Sequence, residues 1–366
     1  MTTESSDLGV HRSIDPTGVL PQAAWRLDNR PQLWPSEARV DVELLALDPV
    51  VLRRLHEPPS GDPSQRTHPP APPARPSRPQ AGILETVAER SKLQDPTTGA
   101  GGSLLGRISE IGPDHPRDLR LGARVALPSA LGLTPLWLAD VAGWDGTTPL
   151  VPARGHAIVF TRSPLAPVSD NLDARLALTV LQVSAVSSAV RRLLHRGDEV
   201  AILGGAGAAG ALASVAARER GAAGVVSVVG SWREACLVES LGAATPLVAD
   251  LRDPLATAAA VREGLGGFAD LAVVSADVSD AEGGALLATR PGGTAVFAAS
   301  PVTVAGLANV SRSLGADVEL VVANGQVSGA AEHAFQLLHT YPALATLISG
   351  EASLASGWSI ARADRR

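Results

Sequence analysis

The sequence predicts an α/β protein in which a doubly wound parallel sheet follows a smaller, mostly β domain. Three observations carry that reading. From about residue 153 onward, short runs of Val, Ala, Ile and Leu alternate with amphipathic stretches, the order of a parallel sheet covered by helices on both faces. Before that point, apolar and polar positions alternate from Glu37, and glycines punctuate the segments, as short strands with tight corners require. At 366 residues, 45% of them hydrophobic, the chain is long enough to build two cores.

Taken in order, residues 1–152 are assigned to the β-rich domain, 153–345 to a cofactor domain and 346–366 to a C-terminal tail. "EARVDVELLALDP" is a half-buried strand. Residues 57–80, "EPPSGDPSQRTHPPAPPARPSRPQ", hold too few apolar side chains to offset the entropy of ordering, and are read as a mobile surface insertion. "AGILETVAERSKL" is a helix with Ile83, Leu84 and Val87 on one side, and "LLGRISEIG" and "GARVALPSA" are strands. "HAIVF" is a further strand, and "NLDARLALTVLQVSAVSSAVRRLLHRG" a long helix stopped by Gly197. "EVAILGG", "ALASVAARERG", "GVVSVVG", "REACLVESLG", "LAVVSA", "GTAVFAAS" and "VELVVANG" complete the alternation.

Composition sets limits on function. A net charge of −6 without a basic cluster gives no footprint for nucleic acid. No uninterrupted apolar run reaches about 18 residues, so no membrane span is expected. The polar start "MTTESSDLGVHRSIDP" lacks the order of a signal peptide, and the expected compartment is the cytoplasm. One cysteine, Cys236, excludes a disulfide framework and a four-thiolate zinc site. Among 31 basic residues there is a single lysine, Lys92, a survivor in a chain that otherwise uses arginine.

"AILGGAGAAGALASVAARERG" places Gly205, Gly207 and Gly210 in a G-x-G-x-x-G spacing, with Gly204 opening the turn between strand and helix. The first glycine permits the turn, the second admits a pyrophosphate to the backbone, and the third lets helix pack on strand. The helix start then offers unpaired N–H groups and a partial positive charge. A dinucleotide is therefore expected, NADP or NAD. The next strand ends near Val229 without a carboxylate, and Ser231 and Arg233 follow, which tilts the expectation toward the 2′-phosphate of NADP. Ser275, Ser300 and Asn324 end later strands, where ligands of open sheets gather.

A β-rich domain ahead of a doubly wound one resembles the medium-chain dehydrogenase/reductase superfamily, with a GroES-like catalytic domain and a Rossmann domain. The segments "GAGGSLLGRISEIGP", "LRLGARVALPS" and "GGAGAAG" carry this resemblance. Aligned on Gly101 and Gly106, the zinc members' histidine position is Gly102 and their glutamate Ser103, while Asp48 stands at the first zinc ligand. The resemblance thus implies a catalytic site with no metal. "HRSIDPTGVLPQAAWRLDN", "AERSKLQDPTTGAGGSLLG", "LGLTPL" and "VANGQVSGAAEHAFQLL" resemble the L-erythro-3,5-diaminohexanoate dehydrogenase family. That family implies NAD(P)-dependent oxidation of the 3-amino group, giving 5-amino-3-oxohexanoate and ammonia, in a homodimer.

A diamino acid needs anionic partners for its ammonium groups and a cation for its carboxylate. Asp48 and Glu89 are candidates for the former, Arg90 for the latter, and Lys92 for proton transfer at a lowered pKa. Adjacent helix positions diverge, so Glu89 and Arg90 share one pocket only if the helix ends there. Thr98 and Thr134 are candidate hydrogen-bonders to substrate. The competing readings are a zinc-independent NADPH quinone or enoyl reductase with an apolar cleft, and a redox sensor presenting the insertion to a partner. The "VELVVANG" strand is the expected dimer seam.

Overall fold

The computed structural model describes residues 5–56, 79–128, 130–141, 143–276, 278, 280–298, 304–323, 327 and 329–355. The insertion expected at 57–80 lies outside these residues except for Pro79 and Gln80, which open a helix. Of the expected tail, residues 346–355 are helical, and the remainder lies outside the described residues.

The chain divides into two compact units, the first reaching Leu178 and the second running from Thr179 to Leu354. In the first, β1 (Ser13–Asp15) and β2 (Arg26–Leu27) form a small antiparallel pair. Then follow β3 (Ala38–Leu47), α1 (Pro49–His56), α2 (Pro79–Arg90), β4 (Gly102–Ile111), β5 (Arg124–Leu127), β6 (Leu136–Asp140), β7 (Leu150–Val159) and β8 (Ala166–Pro167). Six of these strands make an antiparallel sheet in the order β6-β7-β3-β4-β5-β8. The unit extends beyond residue 152 because β7 pairs with β3 and β6, and β8 with β5. Its core gathers Val40, Leu45, Ile83, Val87, Leu104 and Val151, so the apolar side of α2 is the one the sequence marks. The short helix α1 was not expected: its eight residues run straight into the proline-rich segment and give periodicity little length to act on.

The second unit contains α3 (Ala174–Leu193), which begins in the first, β9 (Glu199–Leu203), α4 (Ala208–Arg220), β10 (Gly224–Val229), α5 (Trp232–Leu241) and β11 (Thr245–Val248). It continues with α6 (Pro254–Leu265), β12 (Ala269–Val274), α7 (Ala281–Ala288), β13 (Thr289–Phe297), α8 (Val304–Leu314), β14 (Val318–Val322), α9 (Ala330–Thr340) and α10 (Pro342–Ala355). All strand pairs are parallel, in the order β11-β10-β9-β12-β13-β14. Counting strands within the unit gives the 3-2-1-4-5-6 order of a Rossmann sheet, with its switch point between β9 and β12. The helix α3 is long and apolar enough to cross a membrane by length and composition, but 61% of that window is buried inside the protein, as in a core helix.

A buried ionic clasp ties the N-terminal stretch to β3. Glu37, 0% exposed, accepts from His11 Nε2 at 2.8 Å and from Arg12 Nε at 2.9 Å. Arg12 spends its remaining donors on the carbonyls of Asp28, Arg30 and Gln32. Burial alone would push the Glu37 carboxyl up, but the bonds from His11 and Arg12 and the guanidinium charge outweigh it and hold the pKa below the usual range. Glu37→Gln leaves buried Arg12 with only Asp28, 3.8 Å away, as counter-charge, and should cost about 3–5 kcal/mol in urea unfolding. The sign of the pH dependence follows from the depressed pKa. The clasp stabilises the fold above the ordinary carboxylate range and is lost as pH falls through the folded-state pKa.

Candidate active site

The glycine-dense stretch "TTGAGGSLLG" enters β4 where three chain segments converge. Gly102 opposes Leu47 in the ladder and has φ +129°, and a Cβ there would stand 2.1 Å from the carbonyl oxygen of Ala46. At Gly101 a Cβ would lie 2.7 Å from the Leu93 oxygen and 2.8 Å from the Gly132 nitrogen. No histidine fits at Gly102 on this backbone. With Asp48 as the other element of the corner, the residues do not suit the zinc of the superfamily's metal-dependent members. Among the described residues no group of three His, Cys, Asp or Glu side chains is placed to hold a metal.

Asp48 follows β3 and caps the first turn of α1, its Oδ1 accepting from Val50 N at 2.9 Å with Pro49 between them. Its own N–H donates to Gly101 O at 3.1 Å, so the carboxylate is fixed beside the corner and half-buried. The loop after α2 distributes the other charged candidates differently. Glu89 is exposed, whereas Arg90 turns inward, its Nη1 donating to Gln94 O at 2.6 Å and its guanidinium lying 4.3 Å over the Trp25 ring. The two therefore do not share a pocket, as their adjacency on a helix requires. Burial lowers the Arg90 pKa, partly offset by the Glu89 charge.

Lys92 is 0% exposed, and its Nζ donates to Pro21 O at 2.8 Å. Burial, reinforced by the Arg90 cation, lowers its pKa to about 7. Gln94 reaches both Gln22 O, at 3.4 Å, and Gly99 O, at 3.3 Å. Arg90, Lys92 and Gln94 thus hold the segment from Pro21 to Trp25. Thr98 is exposed and donates through Oγ1 to Asp95 Oδ1 at 2.9 Å, while Arg54 Nη1 meets Asp95 Oδ2 at 2.7 Å. Burial pushes the Asp95 carboxyl up, but these bonds and the Arg54 charge outweigh it and leave the pKa lowered. Thr134 is buried, its N–H bonded to Ala130 O at 2.9 Å. Asp48, Glu89 and Lys92 are not brought into mutual hydrogen-bond contact. The sequence reading missed Gln94, Asp95 and Arg54; "DPTTG" is the turn signature that pointed to Asp95.

In the second unit, β9 runs into the glycine loop and α4. Gly204 has φ +99°, and a Cβ on Gly205 would meet Ser227 Oγ at 1.9 Å, so both positions need glycine for the turn. Gly210 packs on the loop, where a Cβ would lie 2.3 Å from Gly204 O. Gly207 precedes α4 with no side-chain cap, leaving the first N–H groups of that helix for an anion. Ser275 braces the loop by donating from Oγ to Leu203 O at 3.0 Å. Ser300 and Asn324 lie outside the described residues. The site fits a dinucleotide pyrophosphate.

At the end of β10, Ser231 caps α5 by accepting from Glu234 N at 3.3 Å, and Glu234 Oε2 accepts from Gly230 N at 2.9 Å. This reciprocal capping box pins a carboxylate beside the strand end. Arg233 is exposed there. The S-x-x-E spacing is the sequence signal for Glu234.

Comparison with known proteins fits this geometry. A family model described as the L-erythro-3,5-diaminohexanoate dehydrogenase N-terminal domain matches residues 11–169. L-erythro-3,5-diaminohexanoate dehydrogenase of Acetoanaerobium sticklandii is 30% identical over 338 residues, covering 90% of this chain and 94% of the relative. The enzyme of the same name from Fusobacterium nucleatum subsp. nucleatum is 31% identical over 323 residues, covering 87% and 90%. Among solved structures, a quinone oxidoreductase from Coxiella burnetii is similar at TM-score 0.55 and 15% identity, covering 90% of each chain, a likeness of fold alone. By descent along nearly its whole length, with a glycine-filled corner and a dinucleotide loop in their places, the chain belongs to the L-erythro-3,5-diaminohexanoate dehydrogenase family.

Proposed function

We propose that the protein catalyses NAD(P)-dependent oxidative deamination of a β-amino acid, L-erythro-3,5-diaminohexanoate, to 5-amino-3-oxohexanoate and ammonia. The observation that carries this reading is 30–31% identity to enzymes of that name across both units. The nicotinamide cofactor, when bound, accepts hydride from the amine-bearing carbon. This chain's residues must first free the amine of its proton, because the nitrogen lone pair expels the hydride and makes Lewis-acid help unnecessary; water then adds to the resulting iminium carbon, giving the ketone as ammonia leaves. Zinc independence is therefore part of the proposal, supported by the misfit at Gly102. Asp48 is the proposed anchor and proton acceptor for the ammonium group, since its Oδ2 makes no hydrogen bond among the described residues.

Lys92 is proposed as the second proton carrier, its buried amine titrating at about 7 and exchanging a proton only when the Pro21 segment that covers it opens. Arg90 serves the site by holding the Trp25 segment, its donors being committed to protein carbonyls. Glu89, Thr98 and Thr134 are retained as proposed substrate contacts. Arg233 tilts the expectation from sequence toward NADP, but we favour NAD, because Glu234, held at the strand end by Gly230 N, suits a ribose 2′-hydroxyl and opposes a 2′-phosphate. A cytoplasmic homodimer completes the proposal, supported by β14 standing at the edge of its sheet.

Asp48→Asn should keep the turn cap while lowering kcat by at least about 100-fold, the usual contribution of a positioned base. Turnover of 3,5-diaminohexanoate, followed by reduced-nicotinamide absorbance after exhaustive chelation, reads both this loss and the absence of a metal requirement. Glu234→Gln should shift the ratio of NADP to NAD dissociation constants by about tenfold in favour of NADP, with Arg233→Ala leaving it unchanged. Lys92 also predicts a stability profile. Unfolded, it keeps its proton up to about 10.5, while folded it loses it near about 7. The unfolded chain therefore holds more protons in that window, and stability should rise as pH climbs through it. Urea midpoints for Lys92→Met should show that slope removed.

A further inference from the structure

Trp232 is 78% exposed, more than any other large hydrophobic among the described residues. An indole left in water at the start of a helix forgoes a large hydrophobic gain. It opens α5 directly after β10, the strand paired with β9, and Gly204 of the glycine loop donates to Val228 O of that strand at 2.9 Å. Ligands of open α/β sheets lie outside such strand ends, beside the switch point. The Ser231–Glu234 capping box fixes the backbone on both sides of Trp232. Two residues earlier, a Cβ on Gly230 would meet only Glu234 Oε2, at 3.5 Å, among the described residues, so the backbone at the strand end is open to a ligand. The indole has no ring or cation partner among the described residues.

We propose that Trp232 is the stacking platform for the adenine ring of the dinucleotide, an inference that rests on the nicotinamide-cofactor reading. A ring fixed at the helix start and open on its faces offers a purine dispersion and desolvation that no neighbouring side chain supplies. Stacking is indifferent to the 2′ substituent, so Trp232 contributes to NAD and NADP alike, and Glu234 separates them.

Titration calorimetry on the full chain, with NAD, NADP and ADP-ribose against wild type, Trp232→Leu and Trp232→Tyr, tests this. Trp232→Leu should weaken all three ligands by about tenfold, a value within the range for base–aromatic stacking. Trp232→Tyr should restore most of the loss, and quenching of tryptophan fluorescence by ADP-ribose should fall in both variants. Wild type and Trp232→Leu binding the three ligands equally, with circular dichroism showing both folded, overturns the stacking role and leaves the cofactor reading standing. Failure of wild type to bind either dinucleotide overturns the cofactor reading itself, and the stacking role with it.

Discussion

At Gly102 the chain passes so close to the Ala46 carbonyl that a Cβ would lie 2.1 Å from its oxygen, and the chemistry of the corner follows from that approach. A side chain cannot stand there, so the position that would carry a metal-binding imidazole is closed by backbone. The corner is then left with a carboxylate, Asp48, tied by its N–H to Gly101 O at 3.1 Å. The same kind of constraint shapes the second unit, where Gly205 and Gly210 let strand, turn and helix meet without intervening atoms. In one unit close approach excludes a side chain, and in the other it makes room for phosphate.

The N-terminal stretch owes its motif to two separate demands. His11 and Arg12 converge on Glu37, while the carbonyls of Pro21, Gln22 and Trp25 receive Lys92, Gln94 and Arg90. Both ends of "HRSIDPTGVLPQAAW" are thus held by buried polar groups. Such networks tolerate substitution poorly, because removing one partner strands another in a dry setting.

Five strands of the doubly wound sheet were legible because each is a short apolar run between helices, a pattern local in sequence; β11, four residues with a proline and little burial, was not. The glycine loop was legible for the same reason. The charged residues were harder to read. That Arg90 turns inward and Glu89 outward is set by the end of α2 and by Trp25, which lies far away in sequence. Lys92 was marked by its rarity, but its carbonyl partners are 70 and 71 residues distant and leave no periodic trace. Glu234 carries a local signal, the capping box, yet its bearing on cofactor choice depends on a side chain folding back to Gly230. Residues whose roles rest on such tertiary approaches stay hidden until the backbone is known.

The burial of Lys92 has an outcome for handling the molecule. The chain contains no other lysine, and this one is sealed beneath Pro21 while its nitrogen titrates at about 7. Reagents that acylate primary amines will find only the α-amino terminus while the fold persists. Once it opens, they meet one additional nucleophile at a known place. A mass-resolved acylation time course therefore acts as a clock for unfolding, with a single mark per opened molecule.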